Sequence, residues 1–357
     1  MIRREKGRGA VSNRAGRFAR HTRQEAIDEW AEELEALPKL ATQVRAEPAK
    51  SIISRNQSPD VPFEQSINPY RGCEHGCVYC FARPTHSYLD LSPGLDFETR
   101  LYYKANAVEL LEAELRKPAY VCKPITIGAN TDPYQPIERE HRITRQLLEL
   151  LLDYRHPVSL ITKGALIERD LDLLIELARL ELVHIQVSVT SLDQELKRSL
   201  EPRAASAQAR LRIIERLSGN GVPVDALIAP IIPALTDHEL EAIVERVASA
   251  GARSAGYVLL RLPHEVAGLF TEWLGTHYPE RAGHVMSLVR QSRGGNDYDS
   301  AWGQRMRGTG RFAELIEKRF ELACRKAGLT PRPGAGLRTD IFTRPERSGD
   351  QLSLGVF

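Results

Sequence analysis

Residues 73–80 of this chain read Cys73-Glu-His-Gly-Cys77-Val-Tyr-Cys80 and hold three of its five cysteines. Three thiolates from one short loop can bind a soft metal and leave a coordination position open. A [4Fe–4S] cluster has four irons, so three cysteines leave the fourth iron free for an outside ligand. The spacing therefore predicts an open iron–sulfur site at Cys73, Cys77 and Cys80.

Two other uses of clustered cysteines compete with this interpretation. A structural zinc ion needs four ligands, and His75, Cys122 or Cys324 could supply the fourth. A disulfide framework is disfavoured because the cysteine count is odd, the spacing is tight and no secretory signal is present. The cysteines alone therefore favour a cluster and keep a structural zinc site as the alternative.

The bulk composition is that of an ordinary globular protein. The 357 residues are 42% hydrophobic and 27% charged, and this length suffices for one large core or two modest ones. No apolar run approaches a membrane span, and residues 1–20 lack the apolar centre of a signal peptide. Because free cysteines fit a reducing compartment, we expect a cytoplasmic protein with no membrane partner.

The first 24 residues form a basic arm. It contains eight Lys and Arg residues and one Glu, a net charge of +7 in a chain whose total is +2. With few apolar side chains, the arm is predicted to be disordered when free. It could neutralise nucleic-acid phosphates, serve as an organelle transit peptide, or only increase solubility. Residues 24–44 then predict a short amphipathic helix that ends near Pro38.

Beyond residue 62, apolar runs rich in β-branched residues alternate with longer helical patterns. The predicted strands are 66–70, 124–129, 157–162, 182–190, 222–229 and 255–262. The helical stretches between them lie near 105–117, 138–153, 167–179, 191–199, 204–219 and 236–250. Strands separated by helices pair in parallel through right-handed crossovers. The alternation predicts an α/β fold, either a doubly wound sheet or a partial barrel, with ligands at the carboxyl ends of the strands.

Polar residues follow several of the predicted strands at these carboxyl ends. The candidates are Thr131 and Asp132 after the second strand, Lys163 at the end of the third, Ser188 in the fourth, and Arg203 after it. Each has a plain structural alternative: a tight turn, a solvated lysine, a bond between strands, or an exposed salt bridge.

The CxxxCxxC spacing, with an aromatic residue before the last cysteine, resembles the signature of the radical S-adenosylmethionine (radical SAM) superfamily. Together with the polar strand ends and the PIIPALTD segment at 230–237, the likeness covers about residues 66–262. It implies a partial (β/α)6 barrel with a [4Fe–4S] cluster on the three cysteines and SAM at the free iron. In that family an electron from the cluster cleaves SAM to methionine and a 5′-deoxyadenosyl radical. An external electron donor such as flavodoxin or ferredoxin is therefore an implied partner.

The resemblance also implies the residues that contact SAM. They are Tyr79, Thr131, Asp132, Lys163, Ser188 and Arg203. The Thr-Asp loop and the Thr-Lys strand end look like those of the spore photoproduct lyase branch, while SINPYRGCEHGC and ARPTH resemble an uncharacterised bacterial radical SAM family.

Two departures from that branch argue against thymine-dimer repair. Ala129 stands where the lyase has its hydrogen-donating cysteine, and Phe81 stands where it has a radical-relay tyrosine. Cys122 could replace the donor only if the fold brought it near the site.

Residues 263–357 predict helices near 264–276, 279–292 and 310–327, which we expect to cover the open side of the barrel. Within 290–311, basic and aromatic residues predict either a flexible connection or a nucleic-acid surface. They are Arg290, Arg293, Arg305, Arg307, Tyr298 and Trp302. Nucleic acid is therefore a possible substrate, and a zinc-stabilised nucleic-acid-binding protein without catalysis is the alternative class. We expect three segments: 1–60 with the basic arm, the radical SAM core 61–262, and the helical extension 263–357.

Overall fold

The computed structural model describes residues 6–19, 40–330 and 336–346. In these residues the strands are β1 (Gln43–Ala46), β2 (Ile53–Arg55), β3 (Gln65–Ile67), β4 (Tyr70–Arg71), β5 (Arg100–Tyr103), β6 (Ile125–Ile127), β7 (Val158–Thr162), β8 (Val183–Ser188), β9 (Val224–Ile231) and β10 (Ala255–Leu259).

The α-helices lie mainly between and after these strands. They are α1 (Asp96–Thr99), α2 (Ala107–Leu115), α3 (Glu138–His141), α4 (Ile143–Asp153), α5 (Leu171–Arg179), α6 (Gln194–Leu200), α7 (Ala207–Gly219), α8 (Leu240–Ser249), α9 (Glu265–His277), α10 (Pro279–Gln291) and α11 (Gly310–Lys326). Short 3-10 helices span Arg83–Leu89, Ala165–Asp170 and Asp237–Glu239. Each described helix is too short or too polar to cross a membrane.

A seven-stranded sheet in the order β10-β9-β8-β7-β6-β3-β2 forms the core. Six of its strands pair in parallel: β3, β6, β7, β8, β9 and β10. Strand β2 pairs with β3 at the edge and is antiparallel to it. These six are the predicted strands, and within the described residues no pairing closes the sheet into a ring. The predicted partial barrel is therefore confirmed.

The parallel strands were recognisable because their side chains are buried on both faces. All three residues of β6 are buried; in β7, Val158, Leu160 and Thr162 are buried on one face, and Ser159 and Ile161 are partly buried on the other. Helix α4 turns Leu147, Leu148 and Leu151 toward the same core, at the spacing of one helical face.

A second, three-stranded sheet in the order β1-β5-β4 was not predicted. The first strand of the core was expected to run to residue 70, but it ends at Ile67. Pro69 has no N–H to continue the ladder, and Tyr70 pairs instead with Tyr103 of β5. The predicted helix at 24–44 falls mostly outside the described residues, and its last positions, Gln43 and Val44, begin β1.

The C-terminal extension contacts the β10 edge of the parallel sheet. The carbonyl of Met306 accepts the N–H of Leu259 at 2.9 Å, and Thr330 forms a bridge with Ser254. Helix α11 packs on α8, and Phe320 lies 4.7 Å from the Tyr257 ring. Through α11 the extension contributes to the main hydrophobic core.

Candidate cluster and cofactor site

The three clustered cysteines lie in a loop that follows β3 and β4, at the carboxyl end of the parallel strands. Cys73 and Cys77 are buried, and Cys80 is half-buried. Gly72 and Gly76 bend this loop at φ angles of +75° and +69°, in the left-handed region that favours glycine. At Gly76 an added Cβ would lie 2.8 Å from Oε2 of Glu98, so the loop backbone packs tightly on its surroundings.

The environment of these thiols suits a positively charged group that binds several sulfurs. Burial raises the pKa of Cys77 to about 12. Burial also raises the pKa of Cys73 far above its usual range, and Asp132, Cys77 and Cys80 raise it further. Because the thiols disfavour one another's ionisation, a bound cation would be needed to keep them as thiolates.

The spacing of the donors also bears on which metal fits. Among the described residues, no three His, Cys, Asp or Glu side chains converge closely enough to hold one metal ion. Zinc needs all its sulfur ligands about 2.3 Å from one point. Cluster ligands bind separate irons and can stand further apart. Three cysteines match the donor number of a cluster with one open iron, whereas a structural zinc ion would need a fourth protein ligand.

Of the three fourth ligands considered for zinc, two lie away from the cysteine loop and His75 lies within it. Cys122 precedes β6 at the amino end of the sheet, and Cys324 is buried in α11. His75 is in the cysteine loop, where its Nδ1 lies 3.3 Å from Oδ2 of Asp132. That nitrogen is buried without an aligned hydrogen bond within the described residues, so an incoming group could satisfy it.

A buried carboxylate, Glu201, organises a charged network next to the cysteine loop. It accepts hydrogen bonds from Lys163 Nζ at 3.0 Å and Thr190 Oγ1 at 2.9 Å. The Tyr79 hydroxyl and the Arg210 guanidinium donate to it as well. Lys163 Nζ also donates to the Tyr79 hydroxyl at 2.8 Å.

The network has one positive charge in excess at neutral pH. Burial by itself would raise the pKa of Glu201, but Arg210 and Lys163 hold it well below its usual range. Burial would lower the pKa of Lys163, yet Cys77 and Glu201 raise it well above its ordinary value. One carboxylate thus faces two permanent cations beside the cysteine loop.

Asp132 connects the loop after β6 to the end of β7. Its carboxylate accepts hydrogen bonds from Thr162 Oγ1 at 2.7 Å, Lys163 N at 2.8 Å and Tyr134 N at 2.9 Å. The bond to Tyr134 is the tight turn that the sequence allowed as an alternative. Thr131 Oγ1 donates to the carbonyl of Tyr70 at 3.0 Å, which links the same loop to the strand before the cysteines.

Arg203 and Ser188 complete the set of predicted SAM contacts. Arg203 donates to Glu74 Oε1 at 2.9 Å, and its N–H bonds the carbonyl of His75. Its side chain keeps 38% of its surface exposed. Ser188 is buried at the end of β8, and its carbonyl accepts from Arg210. All six predicted residues therefore surround the cysteine loop or its supporting network.

Comparison with known proteins supports the family that the cysteine spacing suggests. The sequence model of the Radical SAM superfamily matches residues 67–247. The chain belongs to the radical SAM superfamily. An uncharacterised protein of Mycobacterium tuberculosis is 38% identical over 65% of this chain and 68% of its own length. An uncharacterised protein of Methanocaldococcus jannaschii is 29% identical over 54% of this chain and 68% of its own.

Solved structures of spore photoproduct lyase share the fold of this radical SAM chain. One, with bound AdoMet and dinucleoside spore photoproduct, superposes with a TM-score of 0.57 and covers 79% of this chain and 78% of the lyase. The sequence identity is 14%, so the likeness concerns the fold alone. The predicted lyase-like radical SAM fold is confirmed.

The two departures from the lyase pattern lie on the cluster side of this radical SAM fold. Ala129 follows β6 at its carboxyl end, and Phe81 follows the last cysteine with 41% of its surface exposed. Cys122 lies before β6, at the other end of the strand, where burial raises the pKa of its thiol to about 11. Cys122 is thus poorly placed to replace a hydrogen donor at the carboxyl ends of the strands.

The predicted nucleic-acid surface at 290–311 is wrong for Arg293. This arginine is buried and donates to the carbonyls of Gln304, Leu259 and Leu260, so it fastens the segment to the end of β10. The other arginines also have partners: Arg290 bonds Asp297, Arg305 bonds Asp60, and Arg307 lies over the Tyr257 ring. Trp302 remains 64% exposed.

Several site residues were missed because their partners are distant in sequence. Glu201 lies two residues before Arg203 in a Glu-Pro-Arg triplet, of which only the arginine was predicted as a site residue. Arg210 is a charged residue on the apolar face of α7, and that mismatch was a usable signal. Arg83 and Glu98 form a fully buried ion pair at 2.5 Å beside the cysteine loop, and no local pattern marked it.

Proposed function

We propose that this protein cleaves SAM reductively at a [4Fe–4S] cluster ligated by Cys73, Cys77 and Cys80. The observation that carries the proposal is the contact of the cysteine loop, through the Tyr79 hydroxyl, with the buried Glu201 network in a chain of the radical SAM superfamily. When bound, the cluster would supply the electron and SAM the 5′-deoxyadenosyl radical. The protein's own residues would bind and orient SAM and exclude water.

Lys163 is the residue best suited to bind the carboxylate of SAM. An ammonium has three N–H donors, and the Tyr79 hydroxyl and Glu201 use two of them. The side chain keeps 16% of its surface exposed, so the third donor can serve a ligand. The excess positive charge of the network favours an anionic group at this point.

The remaining predicted contacts support SAM in different ways. The Arg203 guanidinium has donors beyond its bond to Glu74 and is exposed toward solvent, so we propose a direct contact. Asp132 would act through the backbone of Lys163, whose N–H it holds at 2.8 Å. Thr131, Ser188 and Tyr79 would shape the cavity around the methionyl group.

We propose nucleic acid as the substrate class, and not thymine-dimer repair. Spore photoproduct lyase has been solved with a dinucleoside photoproduct, and it shares this fold. In the present chain, Phe81 is exposed beside Cys80, and the Arg261 guanidinium lies 5.0 Å from its ring. An aromatic face next to a cation is suited to stacking a base. An external donor of the flavodoxin or ferredoxin type would reduce the cluster.

Anaerobic reconstitution followed by dithionite and SAM tests the cleavage proposal. We expect about four irons per chain and formation of 5′-deoxyadenosine. Cys77→Ala should abolish both, whereas Cys122→Ala, the matched control outside the loop, should leave both unchanged. A colourless protein with one zinc and no SAM cleavage would support the zinc-stabilised binding protein instead.

The substrate class needs a separate measurement. A deuterium-labelled single-stranded oligonucleotide would transfer its label to 5′-deoxyadenosine if the radical abstracts hydrogen from it. Unlabelled 5′-deoxyadenosine, formed at the same rate with and without oligonucleotide, would remove nucleic acid from consideration without affecting the cleavage proposal.

A further inference from the structure

Residues 8–17, here called the N-terminal strap, are part of the basic arm that the sequence predicts to be disordered. That prediction is wrong for these residues. The strap begins on the cysteine loop, passes residues 92–96 and reaches the start of α9. Ala10 and Val11 are buried along its course. A segment interpreted as a free, charged tail is therefore built into the cluster side of the fold.

One buried ion pair joins the strap to the cysteine loop. Glu98 is fully buried and accepts the N–H groups of Gly9 at 2.9 Å and Ala10 at 2.8 Å. Its partner Arg83, also fully buried, donates to the carbonyls of Cys77 at 2.9 Å and Gly76 at 3.3 Å. Two strap amides are thus connected, through one carboxylate and one guanidinium, to the backbone of a predicted cluster ligand.

The strap also covers the loop by direct packing. A Cβ added at Gly9 would overlap the carbonyl oxygen of Gly76 and lie 3.3 Å from Val78 N. Val11 belongs to the same apolar cluster as Cys77 and Val78. This contact leaves little space for water between the strap and the loop.

The far end of the strap is fastened independently of the loop. Asn13 and Asp96 exchange two hydrogen bonds of 3.0 Å each. Ser12 Oγ donates to Glu272 at 2.6 Å, and the N–H of Arg17 bonds Glu265 at 2.9 Å. Since the far end is also held, the strap stays in contact with the loop at Gly9.

We propose that the strap, with Arg83 and Glu98 as positioning residues, fixes the backbone at Cys77 and keeps solvent away from its thiol. The strap proposal goes beyond the SAM-cleavage proposal. It concerns the structure of the cysteine loop and does not require that SAM is cleaved. Where a cluster is bound, which rests on the proposed function, the strap would slow its loss in air. Solvent exposure and backbone geometry are among the factors that set cluster potential and stability.

The test begins with the cluster-free protein and a matched pair of glycine variants. Gly9→Ala places a methyl group against Gly76 at a residue without a positive φ, whereas Gly283→Ala in α10 meets open space. Alkylation of Cys77 by iodoacetamide, followed by mass spectrometry, should be about tenfold faster in Gly9→Ala because the loop opens more often. Gly283→Ala should match the wild type. An unchanged rate at Cys77 in Gly9→Ala would overturn the proposal.

Cys324 provides an internal check on folding because it is buried in the main core, away from the strap. Global unfolding would speed alkylation of Cys324 as well as Cys77. If Gly9→Ala does so, Asn13→Ala replaces it, since that change loosens the far anchor without a clash. A rise at Cys77 alone supports the strap, and no rise at either cysteine refutes it.

Reconstituted protein provides a second readout for the positioning residues. Glu98→Gln should bleach in air about tenfold faster than the wild type, because it weakens the bonds to the strap and to Arg83. Its cluster potential should become more positive, since added water stabilises the more highly charged reduced form. If Glu98→Gln bleached at the wild-type rate and kept the wild-type cluster potential, the proposal would be contradicted. A wild type that binds no cluster would contradict the proposed function and leave the alkylation test intact.

Discussion

Replacing Glu201 with Gln should reveal how much the buried network contributes to the fold. The amide keeps the shape of the side chain but removes the charge between Lys163 and Arg210. Breaking a buried ion pair by removing one partner costs about 3–5 kcal/mol, because the remaining charge is left uncompensated. Here two cations lose their carboxylate, so we expect a loss near the upper end of that range.

Urea unfolding of the cluster-free protein, followed by circular dichroism, measures this loss. The matched control is Glu149→Gln, which removes a carboxylate 3.0 Å from Arg145 at the surface. Exposed pairs on one helix contribute only about 0.3–0.5 kcal/mol, so the control should unfold close to the wild type. A loss below about 1 kcal/mol for Glu201→Gln would refute the view that the network is a tightly coupled buried unit.

The pH dependence of stability in the same variant tests the direction of the Glu201 pKa shift. The pKa of Glu201 is lower in the folded state than its ordinary value of 4.5, so the stability that its charge contributes is fully present above that pH. As the pH falls below 4.5, the unfolded state binds a proton first and this contribution declines. Glu201→Gln should therefore lose less stability on acidification than the wild type. If the variant and the wild type lost the same stability on acidification, the pKa of Glu201 would not be lowered in the folded state.

Two further predictions concern binding and the C-terminal connection. Lys163→Met should weaken SAM binding to the reconstituted protein at least about tenfold by calorimetry, because a charged hydrogen bond contributes about 1.5–3 kcal/mol. Equal affinities would remove Lys163 from the SAM site. Arg293→Met should lower the free energy of unfolding by about 3 kcal/mol, because the buried carbonyls of Leu259, Leu260 and Gln304 lose their donor. A Trp302→Ala variant should unfold close to the wild type, and equal destabilisation by both changes would contradict a special role for the arginine.

Much of the core was predictable because its signals are local. Each parallel strand is a short run of buried β-branched residues, and each helix repeats its apolar side chains on one face. The second sheet carries weaker signals: β1, β4 and β5 are two to four residues long, and β1 and β4 include exposed polar side chains. Their pairing joins segments far apart in the sequence, such as Gln43 with Arg100.

The candidate site divides in the same way. Cys73, Cys77 and Cys80 were evident because all three lie within eight residues. Glu201 and Lys163 were harder to join because 38 residues separate them, and an exposed salt bridge was a reasonable alternative for the Glu-Pro-Arg triplet. Burial makes the difference, since a carboxylate removed from water must find its cations.

The sequence by itself determined which cysteines are the candidate ligands, the six parallel strands with their intervening helices, and the carboxyl ends of those strands as the place of the candidate site. These properties depend on spacing and periodicity within short segments. Only the tertiary structure decided that the basic arm includes a strap on the cysteine loop. It also decided that Arg293 is buried and hydrogen-bonded to backbone carbonyls, and is not part of a binding surface. The sequence does not show which group a charged side chain will bind. That depends on the distant backbone and side-chain groups that the fold brings within hydrogen-bonding distance.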